Sequence, residues 1–172
     1  MKLFIASDIH GSAYYCRKML EKYRESGAEK LVILGDILYH GPRNDLPRDY
    51  APKEVIAMLN PISSEILSVR GNCDGEVDQM VLEFPILQER ALIADGDNRI
   101  YLIHGHKELD ALSEILGEKD VLLYGHTHVP TDKRGAKGCR ILNPGSISIP
   151  KENSAHGYII WDDGEITRGS VD

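Results

Sequence analysis

The sequence predicts an α/β fold in which two mixed sheets pack face to face and helices cover their outer sides, a four-layer α/β/β/α sandwich. Two observations predict it. In the first part of the 172 residues, short apolar runs alternate with amphipathic segments in the order β-α-β-α-β, which indicates a parallel sheet with right-handed crossovers. In the second part the pattern changes to a β-hairpin, a helix and further strands, which we assign to a second sheet.

The first part provides three strands and two helices. Apolar runs at Lys2–Ser7, Lys30–Gly35 and Glu65–Val69 predict the strands. A second helix starts near Pro52, because proline is tolerated in a first helical turn, and its inward residues are Val55, Ile56 and Leu59. The first helix carries apolar residues at i, i+3, i+4 and i+7 and is expected to end at Gly27; this stripe consists of Cys16, Met19, Leu20 and Tyr23.

The second part begins with a short helix, which an apolar pattern predicts at Val77, Met80, Val81 and Phe84. Two runs, Ala91–Ala94 and Arg99–His104, flank the turn Asp95–Asn98 and predict a hairpin. Leu109, Leu112 and Leu116 predict one more helix. Strands are then expected at 120–124, 139–142 and 157–161, with Asp162–Gly164 turning the chain back after the last one.

Length and composition place the chain among soluble globular proteins. We expect residues 1–172 to form one domain, with 42% hydrophobic and 27% charged residues. No apolar run approaches the roughly 20 residues of a membrane span, and Met1–Ser7 is too short for a signal peptide, so a cytoplasmic location is expected. The net charge of −7 argues against a protein that coats nucleic acid. The three cysteines have no CxxC spacing, so neither a disulfide framework nor a thiolate zinc site is expected.

Polar residues follow the strands at the points where five of them end. In open α/β sheets this carboxyl edge is where ligands bind. Glycine precedes three of these residues, and it lets the backbone turn tightly beside a crowded centre. The residues are Asp8, His10, Asp36, Asn72, His104, His126 and His128.

Spacing and residue type together predict a metal centre. In an extended segment residues i and i+2 face the same way, so Asp8 with His10, and His126 with His128, can each point at one place. Carboxylate and imidazole without thiolate suit Mn²⁺, Fe²⁺ or Zn²⁺. Seven ligands are too many for one ion, whereas two ions that share a bridging carboxylate would use them all.

These motifs, in order, resemble those of the calcineurin-like metallophosphoesterases. The resemblance spans nearly the whole chain: Asp8-x-His10, Gly35-Asp36, Gly71-Asn72-x-Asp74, His104, and Gly125-His-Thr-His128, with Asn143-Pro-Gly-Ser146 typical of small bacterial and archaeal members. It implies two divalent ions, usually Mn²⁺ but with Fe²⁺, Zn²⁺, Co²⁺ or Ni²⁺ also used, and hydrolysis by a metal-bound water. It also implies that Asp8, His10, Asp36 and His128 hold one ion, and that Asp36, Asn72, His104 and His126 hold the other.

The sequence departs from the family pattern at one position. Many relatives have histidine after the asparagine of the third motif, where it is thought to protonate the leaving group or steady the phosphate. Here that position is Cys73, which is either a small buried side chain or a thiol that faces the substrate and takes part in catalysis or substrate contact. We do not expect it to be a metal ligand, because Asn72 already faces the site and adjacent residues should point apart. Arg43 and Asn44, in the loop from Tyr39 to Ala51, are candidates for contacts with the substrate phosphate.

Three functions remain open from the sequence. The favoured one is a phosphodiesterase with an open site for small phosphodiesters, since the chain has little room for a specificity domain. A metal-binding scaffold of the same fold that works by protein interaction is the alternative, although the full ligand set argues against it. A nuclease is less favoured because the chain is acidic and has no basic or aromatic-rich patch. The resemblance also implies a possible homo-oligomer.

Overall fold

The computed structural model describes all residues 1–172, and its strands form two five-stranded sheets. The helices are α1 (Ala13–Ser26), α2 (Pro52–Leu59), α3 (Glu76–Gln79) and α4 (Leu109–Ile115), and a 3₁₀ segment covers Asn60–Glu65. The strands are β1 (Lys2–Ala6), β2 (Lys30–Ile33), β3 (Ile66–Ser68), β4 (Arg90–Asp95), β5 (Asn98–Ile103), β6 (Asp120–Leu123), β7 (Thr131–Arg134), β8 (Arg140–Asn143), β9 (Gly157–Asp162) and β10 (Glu165–Ser170). No helix combines the length and the apolar character that crossing a membrane requires.

The first sheet has the order β10-β9-β1-β2-β3. Its β1, β2 and β3 are parallel, as the β-α-β-α-β pattern predicts, and β9 and β10 join as an antiparallel hairpin. The carboxyl ends of β1, β2 and β3 therefore lie at one edge. This edge carries the first three of the five predicted ligand motifs.

The second sheet has the order β4-β5-β6-β8-β7. Its three central strands, β5, β6 and β8, are parallel, and the two edge strands run antiparallel to their neighbours. The carboxyl ends of β5 and β6 bring His104 and the Gly125–His128 loop to a common edge.

Three apolar clusters account for the four layers. One lies between the sheets and joins residues such as Leu3 and Val32 of the first to Leu102 and Leu123 of the second. A larger cluster packs α1 and α2 on the outer side of the first sheet, and a smaller one packs α4 on the outer side of the second. The predicted α/β/β/α sandwich of two mixed sheets is confirmed.

The first helix shows why the sequence folds locally as it does. Ser12 caps it by accepting a hydrogen bond from the Tyr15 backbone N–H, and Gly27 ends it in the left-handed region, with φ of 66°. The predicted stripe of Cys16, Met19, Leu20 and Tyr23 is buried against the sheet.

Two segments differ from the sequence prediction. Strand β7 was missed because Thr131–Arg134 is almost entirely polar and exposed, as an edge strand can be. The helix predicted around Val77–Phe84 is only four residues long, and of its apolar residues Phe84 is buried while Val77 and Met80 are 75% and 83% exposed. Val77 and Met80 therefore do not contribute to the packing of the core.

Candidate metal centre

The edges of the two sheets meet, and the strand-end side chains of both converge there. One group combines Asp8 and His10 after β1 with His128 after β6. The Asp8 Oδ1 atom lies 3.6 Å from His10 Nε2 and 3.2 Å from His128 Nε2, and these two nitrogens are 3.2 Å apart. All three side chains are buried. Three ligand atoms of types that bind divalent metals thus face one point.

A second group forms around Asp36. Its Oδ2 atom lies 3.6 Å from His10 Nε2 on one side and 3.3 Å from His104 Nε2 on the other. The Oδ1 atom of Asn72 is 3.0 Å from the same His104 nitrogen. Asp36 is therefore in contact with both halves of the cluster, which is the position a bridging carboxylate needs.

His126 stands at the outer side of the second group. Its ring centre is 5.1 Å from that of His104, it is partly exposed, and it faces the cavity beside the cluster. Its backbone N–H donates to Asp8 Oδ2 at 3.1 Å, which ties the loop after β6 to the loop after β1. The structure thus brings together all seven residues that the sequence singled out.

The backbone at these residues differs from the expectation that i and i+2 converge in an extended segment. Positive φ angles place the backbone in the left-handed region at Asp8 (59°), His10 (50°), Asp36 (55°), His126 (64°) and His128 (61°). Asp8 and His10 meet because tight turns, not extended strands, aim their side chains. His126 and His128 do not converge as expected, since His128 reaches Asp8 whereas His126 lies beside His104. Non-glycine residues rarely adopt this conformation, so five of them at one place indicate a functional constraint.

The glycines before the ligands allow close approach, as predicted. A Cβ on Gly71 would lie 2.1 Å from Asp36 Oδ1, and one on Gly125 would lie 1.9 Å from Ser7 Oγ. Gly35 adopts a φ of 92°, and a Cβ there would lie 2.8 Å from His104 Nδ1. Any side chain at these positions would displace the cluster.

Backbone carbonyls orient three of the four histidines. The Nδ1 atoms of His10, His104 and His128 lie 2.7, 2.6 and 2.8 Å from the carbonyl oxygens of Tyr39, Leu34 and Ile149. A carbonyl can only accept, so each Nδ1 carries a proton and donates it. This fixes the ring and directs Nε2 to the centre, the arrangement usual for histidines that bind metal.

The charges within the cluster perturb one another. Burial raises the pKa of Asp8, but the neighbouring His10 and His128 imidazoles outweigh this effect and hold the pKa below its usual value. Burial lowers the pKa of His104, yet its hydrogen bond with Asp36 raises it overall, to about 9. Without metal, protons on imidazole therefore neutralise the carboxylates. A divalent ion would take the place of those protons.

The residues fit a pair of divalent metal ions. Asp8 Oδ1 is buried without a hydrogen-bond partner, which is costly for a carboxylate oxygen that binds nothing. The oxygen and imidazole donors fall into overlapping groups, Asp8 with His10 and His128, and Asp36 with Asp8 and His104. Such hard and borderline donors suit Mn²⁺, Fe²⁺, Co²⁺, Ni²⁺ or Zn²⁺.

Asp74 stabilises the two turns that carry Asp36 and Asn72. Its buried carboxylate accepts hydrogen bonds from the backbone N–H groups of Asp36, Ile37 and Gly71, at 2.8, 2.9 and 2.8 Å. It therefore links the turn after β2 to the turn after β3. Its place in the Gly71–Asp74 motif is explained by this contact.

Side chains at the end of β8 and in the loop after it also support the ligand loops through hydrogen bonds, a role that the sequence did not predict for them. The hydroxyls of Ser146 and Ser148 both donate to the Asp8 carbonyl oxygen at 2.9 Å. Asn143 donates to the Gly125 carbonyl at 2.7 Å. The only signal in the sequence was the Asn143–Ser146 motif, whose polar residues fall after the buried strand β8.

A cavity of about 680 Å³ opens over the cluster. The candidate substrate residues Arg43, Asn44 and Cys73 all line it, as does Tyr39 at the start of the same loop. Lys151 also lines the cavity and was not expected from the sequence. Lys151 is held near the centre because its backbone N–H donates to the His128 carbonyl at 3.1 Å. Lys151 belongs to no motif in the sequence, so nothing in the local sequence indicated a role at the site.

Cys73 lies nearer to the centre than expected. Its side chain does not point away from its neighbour, because Asn72 Nδ2 donates to Cys73 Sγ at 3.3 Å, and the sulfur is grouped with His10 and Asp36 ligand atoms. The reason for excluding it as a ligand, that adjacent residues point apart, is therefore wrong. In this turn the Cys73 backbone N–H donates a hydrogen bond to Asp36 Oδ1 at 2.8 Å. The turn brings the Asn72 and Cys73 side chains to the same side of the backbone.

A two-sheet sandwich with a buried carboxylate–imidazole cluster at its paired strand ends defines a class of metal-dependent phosphoester hydrolases. Residues 1–164 match the model of the calcineurin-like phosphoesterase superfamily domain, and the chain belongs to this family. This confirms the resemblance drawn from the motifs.

Two curated relatives extend this finding. Phosphodiesterase YfcE of Escherichia coli K12 is 46% identical over 162 residues, which cover 94% of this chain and 88% of YfcE. A probable metallophosphoesterase, YsnB of Bacillus subtilis, is 26% identical, with 93% of this chain and 83% of YsnB covered.

Solved structures share the fold. The structure of YfcE, described as a phosphoesterase from E. coli, superposes with a TM-score of 0.88 and 42% identity over 100% of both chains. Vps29 from Entamoeba histolytica superposes with a TM-score of 0.65 and 21% identity, covering 98% of this chain and 97% of Vps29. The latter likeness concerns the fold alone.

Proposed function

We propose that this chain is a metal-dependent phosphodiesterase that hydrolyses small phosphodiesters at a dinuclear centre. The observation that carries the proposal is the position of Asp36, whose Oδ2 atom lies between His10 Nε2 and His104 Nε2 at 3.6 and 3.3 Å. One ion would be held by Asp8, His10, Asp36 and His128. The other would be held by Asp36, Asn72, His104 and His126.

Bound ions would supply an activated water and charge neutralisation, because divalent metals lower the pKa of water and polarise phosphoryl oxygens. The chain supplies the geometry. Asp36 keeps the two halves of the site together, and the backbone carbonyls that hold the Nδ1 atoms keep each imidazole aimed at the centre. Arg43, Asn44 and Lys151 place hydrogen-bond donors around the cavity, where they would hold the phosphate oxygens.

The site lacks an effective general acid at position 73 to protonate the leaving group. Burial and the nearby Asp36 carboxylate raise the pKa of Cys73 to about 12. The thiol would therefore stay neutral, and at neutral pH it would be a poor acid toward a departing alkoxide. Good leaving groups, which need no proton, should be the better substrates.

Mn²⁺ is our proposal for the preferred ion, with Fe²⁺, Zn²⁺, Co²⁺ and Ni²⁺ as alternatives that the same donors accept. We also propose that the chain works in the cytoplasm and forms a homo-oligomer. The first of these rests on the sequence composition, and the second on the family resemblance.

The enzyme is favoured over the alternatives on specific grounds. The relative at 46% identity is named a phosphodiesterase, and the ligand set here is complete. The scaffold alternative would not need a complete ligand set, and none of the curated relatives described above is named for such a role. A nuclease is disfavoured by the net charge of −7.

A metal-by-substrate matrix tests the proposal. Protein stripped with chelator is incubated with each of the five metals and with bis(p-nitrophenyl) phosphate, and metal content is measured in parallel. We expect turnover only with metal, and most with Mn²⁺. Metal-loaded protein without turnover in every combination would overturn the enzyme function and favour the scaffold.

A further inference from the structure

A second, apolar groove of about 550 Å³ lies directly beside the metal cavity. Its apolar walls come from the loop after β2, from α2 and from the segment around α3, and include Tyr39, Tyr50, Ile56, Val77 and Val81. Its size falls within the range of roughly 300–1,000 Å³ that is usual for small-molecule sites.

Three apolar residues of the groove lie outside the buried core. Val77 is 75% exposed, Val81 is 44% exposed and Tyr39 is 42% exposed. Exposed apolar side chains that gather beside a polar cavity indicate a binding surface, whereas isolated ones need no explanation. Val77 and Val81 belong to the apolar pattern that predicted a helix here, and core packing does not account for these two residues.

The groove is continuous with the reaction site. Tyr39, Asn72 and Cys73 line both the groove and the metal cavity. Asn72 is a proposed metal ligand, so a phosphodiester bound at the metals has one ester group within reach of the groove.

The metal cavity and the groove differ in the charge of the side chains that line them. Arg43 and Lys151 line the metal cavity, whereas no lysine or arginine lines the groove. Its two carboxylates, Asp74 and Asp78, are occupied by backbone N–H groups. A second phosphate would find no positive partner there, and an uncharged apolar group would find a matching wall.

From this juxtaposition we infer that the groove binds one ester group of the substrate, and that the enzyme selects phosphodiesters in which this group is apolar and aromatic. The inference rests on the proposed function and adds the substrate class. Val77 and Val81 then determine specificity, and Tyr39 lies where the groove meets the metal cavity.

Two p-nitrophenyl diesters test the inference, because they share one leaving group and differ only in the second ester, methyl or phenyl. We expect kcat/KM for the phenyl diester to exceed that for the methyl diester on the order of tenfold, the scale on which apolar pockets discriminate. Val77→Asn and Val81→Asn should bring the ratio close to one without loss of bound metal. Leu92→Asn is the matched control, since Leu92 is 57% exposed on β4 and outside the groove, and it should keep the wild-type ratio.

Binding gives a readout that does not depend on turnover. Calorimetry on metal-loaded protein should show tighter binding of phenylphosphonate than of methylphosphonate, and the two valine variants should remove the difference. Equal binding and equal kcat/KM for both groups would overturn the inference and leave the phosphodiesterase intact. Variants that change sedimentation but keep the phenyl preference would also overturn it, because the groove would then be a contact between copies of this chain. If no diester is hydrolysed, the proposed function fails, and the phosphonate comparison alone decides the inference.

Discussion

The Asp74 carboxylate accepts a hydrogen bond of 2.8 Å from the backbone N–H of Asp36. The same carboxylate accepts from Ile37 and Gly71, so one side chain fixes the turns that carry Asp36 and Asn72. We expect Asp74→Ala to lower the free energy of unfolding by about 3 kcal/mol, because three buried N–H groups lose their acceptor. Bound metal should fall as well, by roughly 10- to 100-fold in affinity. Urea denaturation and metal titration measure the two effects; unchanged values would mean that the turns hold without it.

Asp74 also predicts a pH dependence. Burial raises its pKa to about 6, against 3.8 for the free group. The folded chain therefore binds this proton more tightly than the unfolded chain, and the resulting stability is complete below pH 3.8 and is lost as the pH rises through about 6. In metal-free protein, the unfolding free energy of wild type minus that of Asp74→Asn should be greater at pH 5 than at pH 8. An equal or reversed difference contradicts the assignment.

Asp36→Asn should abolish diester hydrolysis and reduce bound metal more than any other single ligand change. As the proposed bridge, Asp36 neutralises part of the charge of both ions, and an amide would leave two dications close together with less compensation. Elemental analysis of purified variants measures this, with His126→Asn as the comparison, because His126 belongs to one half of the cluster. Two ions retained at full occupancy in Asp36→Asn would refute the bridge.

Arg43→Ala should lower kcat/KM by about 10- to 100-fold, the loss typical of a hydrogen bond to a charged group, without changing metal content. Arg43 lines the metal cavity, and its guanidinium can contact phosphate oxygens. Arg17→Ala is a suitable control because Arg17 lies on α1 and pairs only with the exposed Glu54. Kinetics like those of wild type in Arg43→Ala would show that this arginine is merely solvated.

Cys73→His should flatten the dependence of rate on the leaving group. With no acid near neutrality at position 73, aryl diesters should be far better substrates than alkyl diesters, and an imidazole could restore a contribution on the order of 10²–10⁴ for the alkyl series. Space is limited, since a Cβ on Gly41 would lie 3.1 Å from Cys73 Sγ. The measurement is kcat/KM against leaving-group pKa for both proteins at equal metal loading. Parallel lines would exclude position 73 from proton transfer.

The ligand residues could be found from the sequence because each follows an apolar run, and the ends of parallel strands meet at one edge. The conformation that aims them could not, since Asp and His enter the left-handed region more often than most residues but usually lie outside it, so residue type alone does not indicate it at Asp8 or His128. Lys151 and Ser148 were missed for another reason. Their positions depend on how the loop after β8 lies across the first sheet, where Ile147 N–H donates to the Ser7 carbonyl, and no local pattern encodes that contact.

The positive φ angles at Asp8, His10, Asp36, His126 and His128 also bear on how this chain can change over time. A residue with a Cβ costs roughly 1 kcal/mol or more in that region, and glycine or asparagine avoids much of the cost. Glycine or asparagine at these positions would therefore relieve strain with no change of fold, but it would remove the ligands. Folding stability and metal binding oppose each other at these five positions, so selection for stability alone would favour loss of the ligand set.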